Sequence, residues 1–194
     1  MARMDDRPLP DGQLETAVRT LLEEIGEDPE REGLRDTPSR VRRMYAELTS
    51  GYQTDADALI NDACFEVDYD EMVVVRDIEF FSLCEHHLLP FYGRAHLGYL
   101  PRGRVIGLSK IPRIVDMFSR RLQVQERMTQ QVATFLMERL EPKGVACVVE
   151  ASHLCTMMRG VRKEQAKMVT SSMLGTFRRD GRTRNEFLKL IGRG

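Results

Sequence analysis

Residues 72–100 read MVVVRDIEFFSLCEHHLLPFYGRAHLGYL, and the two ends of this stretch share one pattern. In residues 72–81 and again in residues 94–100, β-branched and aromatic residues alternate with polar ones. This period of two places alternate side chains on opposite faces of a strand. The stretch therefore predicts two strands joined by a short segment that is rich in cysteine, glutamate and histidine.

Further strands are predicted on the C-terminal side of this pair. The turn sequence LPRGR at 100–104 indicates a hairpin that leads into VIGLS. Two later segments, VACVVEASHLC at 145–155 and MVTSSMLGTF at 168–177, are also predicted to be strands. Between the first strand pair with its hairpin and these two later strands a long helix is expected, because apolar residues keep helical spacing from Val124 to Leu140, before Pro142 and Gly144 break the pattern.

Two helices are predicted before the first strand. The first has an apolar stripe that ends near Gly26, and the second begins at Asp36 or Thr37 and stops at Gly51. The order of elements favours an α+β fold, an antiparallel sheet with helices on one face. We expect an N-terminal helical region over residues 1–70 and a second domain, built on the sheet, over residues 71–194.

Composition limits the function classes. The formal net charge is −1, which gives no support to binding of nucleic acids or membrane surfaces. No segment has the length of a membrane span and the N-terminus has no apolar signal region, so a cytoplasmic protein is expected. In a reducing compartment the four cysteines are expected to be metal ligands or buried thiols, not disulfides.

The segment SLCEHHLLPF at 82–91 contains a candidate metal site. Cys84 and His87 are three residues apart, so in a turn their side chains can reach one centre while His86 points elsewhere. His153 and Cys155 are two apart on a predicted strand and would share a face. A zinc ion held by Cys84, His87 and Cys155 would keep one open position, which is typical of catalytic sites. His86 and His153 would remain for acid–base chemistry.

A second interpretation of these residues stays open at this point. A Cys-x-x-His pair without a second matching pair is a weak signal, and buried thiols with hydrogen-bonded histidines would give the same sequence. Cys64 and Cys147 are predicted to be core residues because they have apolar, strand-like surroundings. His96 lies on the polar face of its strand and is interpreted as a surface or hydrogen-bonded histidine.

Basic residues indicate an anion site. In GLSKIPRIV at 107–115, Ser109 is a candidate N-cap, and Lys110 and Arg113 stand one turn apart at a helix start, where backbone N–H groups attract anions. Arg159 follows Cys155, so a polyanionic substrate could reach the metal; the alternative is a solvated basic loop. The sequence has no P-loop and no Rossmann glycine motif.

Glu126 lies off the apolar stripe of the long helix. It is either an acidic residue favoured near a helix start or a carboxylate that accepts two hydrogen bonds from the N–H edge of a guanine.

The motifs together resemble the GTP cyclohydrolase I family from about Asp36 to the C-terminus. The segments that carry the resemblance are SLCEHHLLPF, GYLP, GLSKIPRIV, SRRLQVQERMTQQ, EASHLCTMMRGV and TSSMLGTF. The resemblance implies a zinc enzyme of the tunnelling fold that converts GTP and water into formate and 7,8-dihydroneopterin triphosphate, the entry to folate and pterin synthesis. It also implies a homodecamer of two stacked pentamers, barrels formed from several subunits, and active sites between neighbours.

The family's functional positions are all occupied here by matching residues. The resemblance implies zinc ligands at Cys84, His87 and Cys155, and catalytic histidines at His86 and His153. It implies substrate-binding residues at Ser109, Lys110, Arg113, Gln125, Glu126 and Arg159, with Gln125 and Glu126 on the guanine. Pro112 inside the phosphate motif and a short N-terminal arm are departures. Two alternatives are a tunnelling-fold relative that acts on another purine or pterin, and a module with structural zinc, which would need a fourth ligand.

Overall fold

The computed structural model describes residues 12–60 and 63–192, in which helices and strands alternate as an α+β fold. The elements follow in this order: α1 (Gln13–Glu24), α2 (Thr37–Leu48), a 3₁₀ turn (Ser50–Tyr52), α3 (Ala56–Ile60), β1 (Cys64–Glu66), β2 (Val73–Cys84), β3 (Pro90–Leu100), β4 (Arg104–Ile106), α4 (Lys110–Ser119), β5 (Leu122–Gln123), α5 (Gln125–Leu140), β6 (Gly144–His153), α6 (Leu154–Met157), β7 (Met168–Gly175), α7 (Thr176–Arg179) and α8 (Gly181–Leu190).

The two N-terminal helices are confirmed, but their apolar stripes are only partly buried. Val18 and Leu22 of α1 are buried, whereas Leu21 and Ile25 are 58% and 65% exposed. The helices pack on each other, and a single helix partner covers less than a full apolar stripe. The second helix begins at Thr37, one of the two predicted starts, and Pro38 lies in its first turn.

The main sheet has the strand order β5-β2-β3-β6-β7. The long strands pair antiparallel, as predicted, and only the short β5 runs parallel to β2. The register pairs Leu83 with Pro90 and Phe91 with His153 at one end of the sheet. The end of β2, the start of β3 and the end of β6 therefore meet at this end, which the text below calls the site end.

The predicted hairpin between β3 and the VIGLS segment is wrong. β4 pairs instead with β1 in a separate two-stranded sheet, with Cys64 opposite Ile106. The physical reason is that β2 and β6 already occupy both edges of β3. A strand that follows β3 therefore has no free backbone donors or acceptors of β3 to pair with.

The core lies between the sheet and helices α4 and α5, and it contains Phe91, Leu97 and Tyr99 on the sheet side. The prediction of helices on one face only is incomplete. Ala146 and Val148 point to the other face, where they pack with Phe177 and with Phe187 of α8. Because β6 is apolar at successive positions, it is buried on both faces at this point.

No helix in the described ranges, 12–60 and 63–192, combines the length and the apolar character needed to cross a bilayer.

Candidate metal centre and catalytic site

The turn between β2 and β3 brings Cys84 and His87 together. The backbone N–H of Cys84 donates to the carbonyl of Leu89 at 2.9 Å, and the N–H of Leu88 donates to the carbonyl of Cys84 at 2.8 Å. Leu88 has a φ of 56°, a left-handed conformation that costs a non-glycine residue free energy. The tight turn directs both ligand side chains to one centre.

Cys155 reaches the same centre from β6, although not on a strand. His153 is the last residue of β6, and Cys155 lies in the short helix α6. The prediction that His153 and Cys155 share a strand face is therefore wrong. The helical turn after His153 redirects the chain, and the register of His153 with Phe91 places this turn at the site end of the sheet.

The donor atoms of Cys84, His87 and Cys155 all lie within 4.8 Å of one another, and Cys84 Sγ is 4.0 Å from His87 Nδ1. Tetrahedral zinc with its usual bond lengths would place such donors about 3.5 to 3.8 Å apart. A small contraction of the group would therefore fit the ion. This group could hold a metal ion, and it supplies three protein donors from the described part of the chain.

The thiols show why a cation fits this position. Burial raises the pKa of the Cys155 thiol, and the neighbouring Cys84 raises it further, whereas the charge of Arg159 acts in the opposite direction. Two thiolates this close repel each other, so a cation between them is needed for both to ionise.

His153 is held by two neighbours beside the metal group. Its ring stacks on Phe91 with centroids 4.7 Å apart and an angle of 1° between the planes. Its Nε2 lies 2.8 Å from Oε1 of Gln125. Burial lowers the pKa of His153, and the negative charge of Glu126 opposes that shift. Burial thus favours the neutral imidazole. Glu126 lies close enough to His153 for its negative charge to affect this pKa.

Gln125 is 1% exposed, and its side chain is fully engaged by protein groups. Its amide nitrogen donates to the carbonyls of Val149 and Met168, both at 3.0 Å, and to the hydroxyl of Thr170 at 3.1 Å. The direct contact of Gln125 with guanine that the resemblance implies stays a prediction.

His86 does not belong to the metal group found among the described residues, as predicted, and its side chain is 64% exposed. Its Nε2 lies 3.9 Å from Oε1 of Glu85. Glu85 forms an ion pair with Arg127 of α5, and this hydrogen bond lowers the pKa of the Glu85 carboxyl. Sequence reasoning missed the pair of Glu85 and Arg127, because the two residues lie 42 positions apart and meet only in the folded chain.

Glu126 is exposed in the first turn of α5 and borders an open cavity of about 440 Å³. The cavity is lined by Glu126, Gln130, Ser171, Ser172, Met173, Leu174 and Arg178. Its size is in the range of small-ligand pockets.

Comparisons with known proteins agree with this geometry. Residues 14–192 match the model of the GTP cyclohydrolase I family. The chain belongs to this family. A GTP cyclohydrolase 1 of Leptospira biflexa serovar Patoc is 58% identical over 93% of this chain and 99% of its own. A GTP cyclohydrolase 1 of Methylococcus capsulatus (strain Bath) is 58% identical over 93% of this chain and 97% of its own.

A third relative, GTP cyclohydrolase 1 of Synechococcus sp. (strain JA-2-3B'a(2-13)), is 59% identical over 93% of this chain and 79% of its own. Among solved structures, the archaeosine synthase QueF-Like in the apo form matches 56% of this chain and 97% of its own, with a TM-score of 0.47 and 15% identity. That likeness is too low to carry an argument. The close relatives identify the chain as an enzyme of the GTP cyclohydrolase I family.

The candidate phosphate residues of this family member fall into two groups. Arg159 is near the metal group, since its charge acts on Cys155. Ser109, Lys110 and Arg113 lie at the start of α4, whose other end leads through β5 to Cys84. A ten-residue helix is about 15 Å long. The start of α4 is thus the helix end farther from the metal group of its own chain.

The remaining predictions for this family member concern residues outside the site. Cys147 is fully buried, which raises the pKa of its thiol to about 12 and confirms a core residue. Cys64 is half-buried and packs against the core. His96 is buried, and its Nδ1 accepts a hydrogen bond from the backbone N–H of Asp77 at 3.1 Å, as the hydrogen-bonded interpretation predicts. Pro112 is accommodated in the first turn of α4.

Proposed function

We propose that this chain hydrolyses GTP at C8 of the guanine at a zinc ion held by Cys84, His87 and Cys155. The products are formate and 7,8-dihydroneopterin triphosphate, in the first step of pterin and folate synthesis. The observation that carries the proposal is the group of three donor atoms within 4.8 Å, next to His153, in a chain of the GTP cyclohydrolase I family.

The three donors suit a catalytic ion better than a structural one. Structural zinc sites are usually closed by four protein ligands, whereas three protein ligands leave one position open. Zinc in such a position supplies Lewis-acid activation of water near neutral pH. Cys84, His87 and Cys155 would hold it, and the exposed side of His87 leaves the centre open to substrate.

Guanine would be recognised at Glu126. Its carboxylate is exposed at the cavity of about 440 Å³ and can accept two hydrogen bonds from the N–H edge of the base. This pairing distinguishes guanine from adenine, whose corresponding edge lacks the same donors. The family resemblance also implies a contact of Gln125 with guanine; its side-chain amide already bonds to protein groups, and the KM of a Gln125→Met enzyme decides whether the contact exists.

Two histidines would move the protons. His153 would give a proton to N7 of the purine, which makes C8 electrophilic, and would accept it back after ring opening. His86 is exposed beside Glu85 and would relay protons during ring opening and the later rearrangement of the ribose. Closure of the opened sugar onto the freed amine then gives the pterin ring.

The triphosphate would be bound by Ser109, Lys110, Arg113 and Arg159. Three of these residues lie at the end of α4 that is farther from the metal group of the same chain. This supports an active site in which a neighbouring subunit supplies the start of α4. We accordingly propose an oligomer of the tunnelling fold, a decamer of two pentamers, in which sheets of several subunits form a barrel and cover the edges at β5 and β7.

The division into an N-terminal region (1–70) and a catalytic domain (71–194) is kept as part of the proposal. A cytoplasmic location is also proposed, because two thiol ligands are best preserved under reducing conditions.

The proposed activity is tested by anaerobic incubation of the purified protein with GTP, with formate and the fluorescence of the oxidised pterin followed together. We expect both products, loss of both after zinc removal by a chelator, and recovery when zinc is returned. Formate without pterin would place the defect at the ribose rearrangement. Neither product from protein with one zinc per chain would contradict the proposal and would favour a relative that acts on another purine or pterin.

A further inference from the structure

The amide of Gln125 has only one possible orientation in the fold. Its nitrogen faces the carbonyl oxygens of Val149 and Met168, each at 3.0 Å. Carbonyl oxygens only accept hydrogen bonds, so a flipped amide would place its own oxygen against two acceptors. The nitrogen of Gln125 must therefore lie on this side and the oxygen on the other.

The surrounding hydroxyls agree with this orientation. Thr129 Oγ1 donates to the backbone carbonyl of Gln125 at 2.7 Å and lies 2.7 Å from Thr170 Oγ1. Because the Thr129 proton is used, Thr170 must donate to Thr129. The Thr170 oxygen is then an acceptor for the amide nitrogen of Gln125, at 3.1 Å.

The orientation of Gln125 determines the tautomer of His153. The amide oxygen of Gln125 lies 2.8 Å from Nε2 of His153, and an amide oxygen can only accept. Nε2 must therefore carry a proton. In the neutral ring the lone pair is then on Nδ1, and within residues 12–60 and 63–192 no group forms a hydrogen bond to Nδ1. The stack on Phe91 fixes the plane of the ring.

We propose that Gln125 is a positioning residue for His153: it keeps Nε2 protonated, so that Nδ1 is the nitrogen that exchanges a proton with the substrate. The inference rests on the proposed function for the identity of that substrate. To act as an acid, the neutral ring first takes a proton from solvent on Nδ1 and becomes an imidazolium; the Nδ1–H bond then breaks, the proton passes to N7 of the purine, and the electron pair returns to Nδ1. Nε2 keeps its proton before and after the transfer, because Gln125 accepts from it in both states. A hydrogen-bond partner held by the fold on one ring nitrogen is a general means of orienting a catalytic histidine.

This role differs from a direct contact with guanine in what it predicts for kinetics. Gln125→Met removes the acceptor and keeps the approximate length of the side chain. We expect kcat to fall about tenfold to a hundredfold while the KM for GTP stays close to that of the wild type, since partners that orient a reactive histidine have effects of this size. A contact to guanine would instead raise KM.

A double-mutant cycle separates action through His153 from any other role. His153→Ala alone is expected to lower kcat by about 10² to 10⁴, the usual contribution of a general acid or base. Adding Gln125→Met to His153→Ala should then cause no further loss, because the group that Gln125 positions is absent. An equal loss in both backgrounds would overturn the proposal. Gln131→Met, on the same helix and outside the site, controls for the loss of a glutamine hydrogen bond.

A spectroscopic measurement does not depend on turnover, and its wild-type part does not depend on folding of the Gln125 variant. The chain has four histidines, so the ¹⁵N imidazole signals of His153 can be assigned by their loss in His153→Ala. In the zinc-loaded wild type we expect a protonated Nε2 and an unprotonated Nδ1, and in Gln125→Met a mixture of the two tautomers. An unprotonated Nε2 in the wild type would overturn the proposal. A wild type with the expected tautomer but no formate would instead contradict the proposed function.

Discussion

Glu126 shows how one residue could determine the base that this enzyme accepts. Its carboxylate is exposed at the cavity and has no role in the core. Glu126→Gln keeps the shape but replaces one acceptor oxygen with a donor, which would face a donor of guanine. Hydrogen bonds to charged groups contribute about 1.5 to 3 kcal/mol, so kcat/KM for GTP should fall about tenfold to more than a hundredfold.

Steady-state kinetics with GTP checks this expectation. Glu138→Gln is the matched control, because Glu138 is an exposed glutamate near the other end of the same helix. If Glu126→Gln and Glu138→Gln had the same kcat/KM as the wild type, the guanine assignment would be wrong.

Strands β3 and β6 pair directly beside the candidate metal group, and at Gly93, opposite Ala151, the neighbouring strand leaves no room for a side chain. A Cβ at Gly93 would lie 1.9 Å from the carbonyl oxygen of Glu150 and 2.7 Å from Cα of Ala151. These are backbone atoms of the neighbouring strand, so they cannot rotate away. We expect Gly93→Ala to lower the free energy of unfolding by about 3 kcal/mol or more, measured by denaturant titration.

Gly107→Ala provides the comparison. A Cβ at Gly107 would have its nearest neighbour at 3.7 Å, an ordinary contact, so the unfolding free energy should change by less than about 0.5 kcal/mol. Equal stability of the two variants would contradict the packing assigned to β3 and β6.

Helix α4 contains a carboxyl that opposes stability at neutral pH. Burial raises the pKa of Asp116, and the charge of Arg120 acts in the opposite direction. With the folded pKa above the unfolded value, the folded state binds the proton more tightly. Stability from Asp116 is therefore present at acid pH and is lost as the pH rises through the folded pKa.

Asp116→Asn removes this titration. We expect the variant to gain stability relative to the wild type as the pH rises from about 4 to 7, and the difference to be smallest at the acid end. Thermal unfolding of both proteins across this range measures it. A difference that does not change with pH would show that the Asp116 carboxyl has the same pKa in the folded and unfolded chains.

The sequence determines the elements of this fold better than their partners. The alternation in residues 72–81 and 94–100 predicted β2 and β3, and apolar spacing predicted α5, because these patterns depend on local burial. The partner of β4 could not be predicted, since it depends on which strand edges are already occupied. The candidate metal ligands were predicted from residue type, from the spacing of Cys84 and His87 and from the family resemblance, whereas the contacts of Gln125 join α5, β6 and β7 and leave no local pattern.

In the proposed oligomer, each active site is divided between neighbouring chains. His153 and the metal group lie at the site end of the sheet, and Lys110 lies at the far end of α4. Co-expression of His153→Ala with Lys110→Glu would produce mixed oligomers in which some sites combine an intact metal side from one chain with an intact phosphate side from its neighbour.

We expect the purified mixed oligomer to have more activity than the sum of its two parents, measured as formate released per chain. Each parent alone stays inactive or nearly so. If mixing restored nothing while the two variants still assembled together, the site would belong to a single chain, and the role proposed for the start of α4 in a neighbour would be wrong.

The most direct measurement is a zinc titration of metal-depleted protein, with bound zinc and formate release from GTP recorded in the same samples. We expect activity to rise in proportion to bound zinc and to level off at one ion per chain. Cys155→Ser should lose both zinc and activity, whereas Cys64→Ser, which changes a cysteine outside the metal group, should keep both. Full zinc binding and turnover by Cys155→Ser would contradict the claim that this group of three residues holds the catalytic ion.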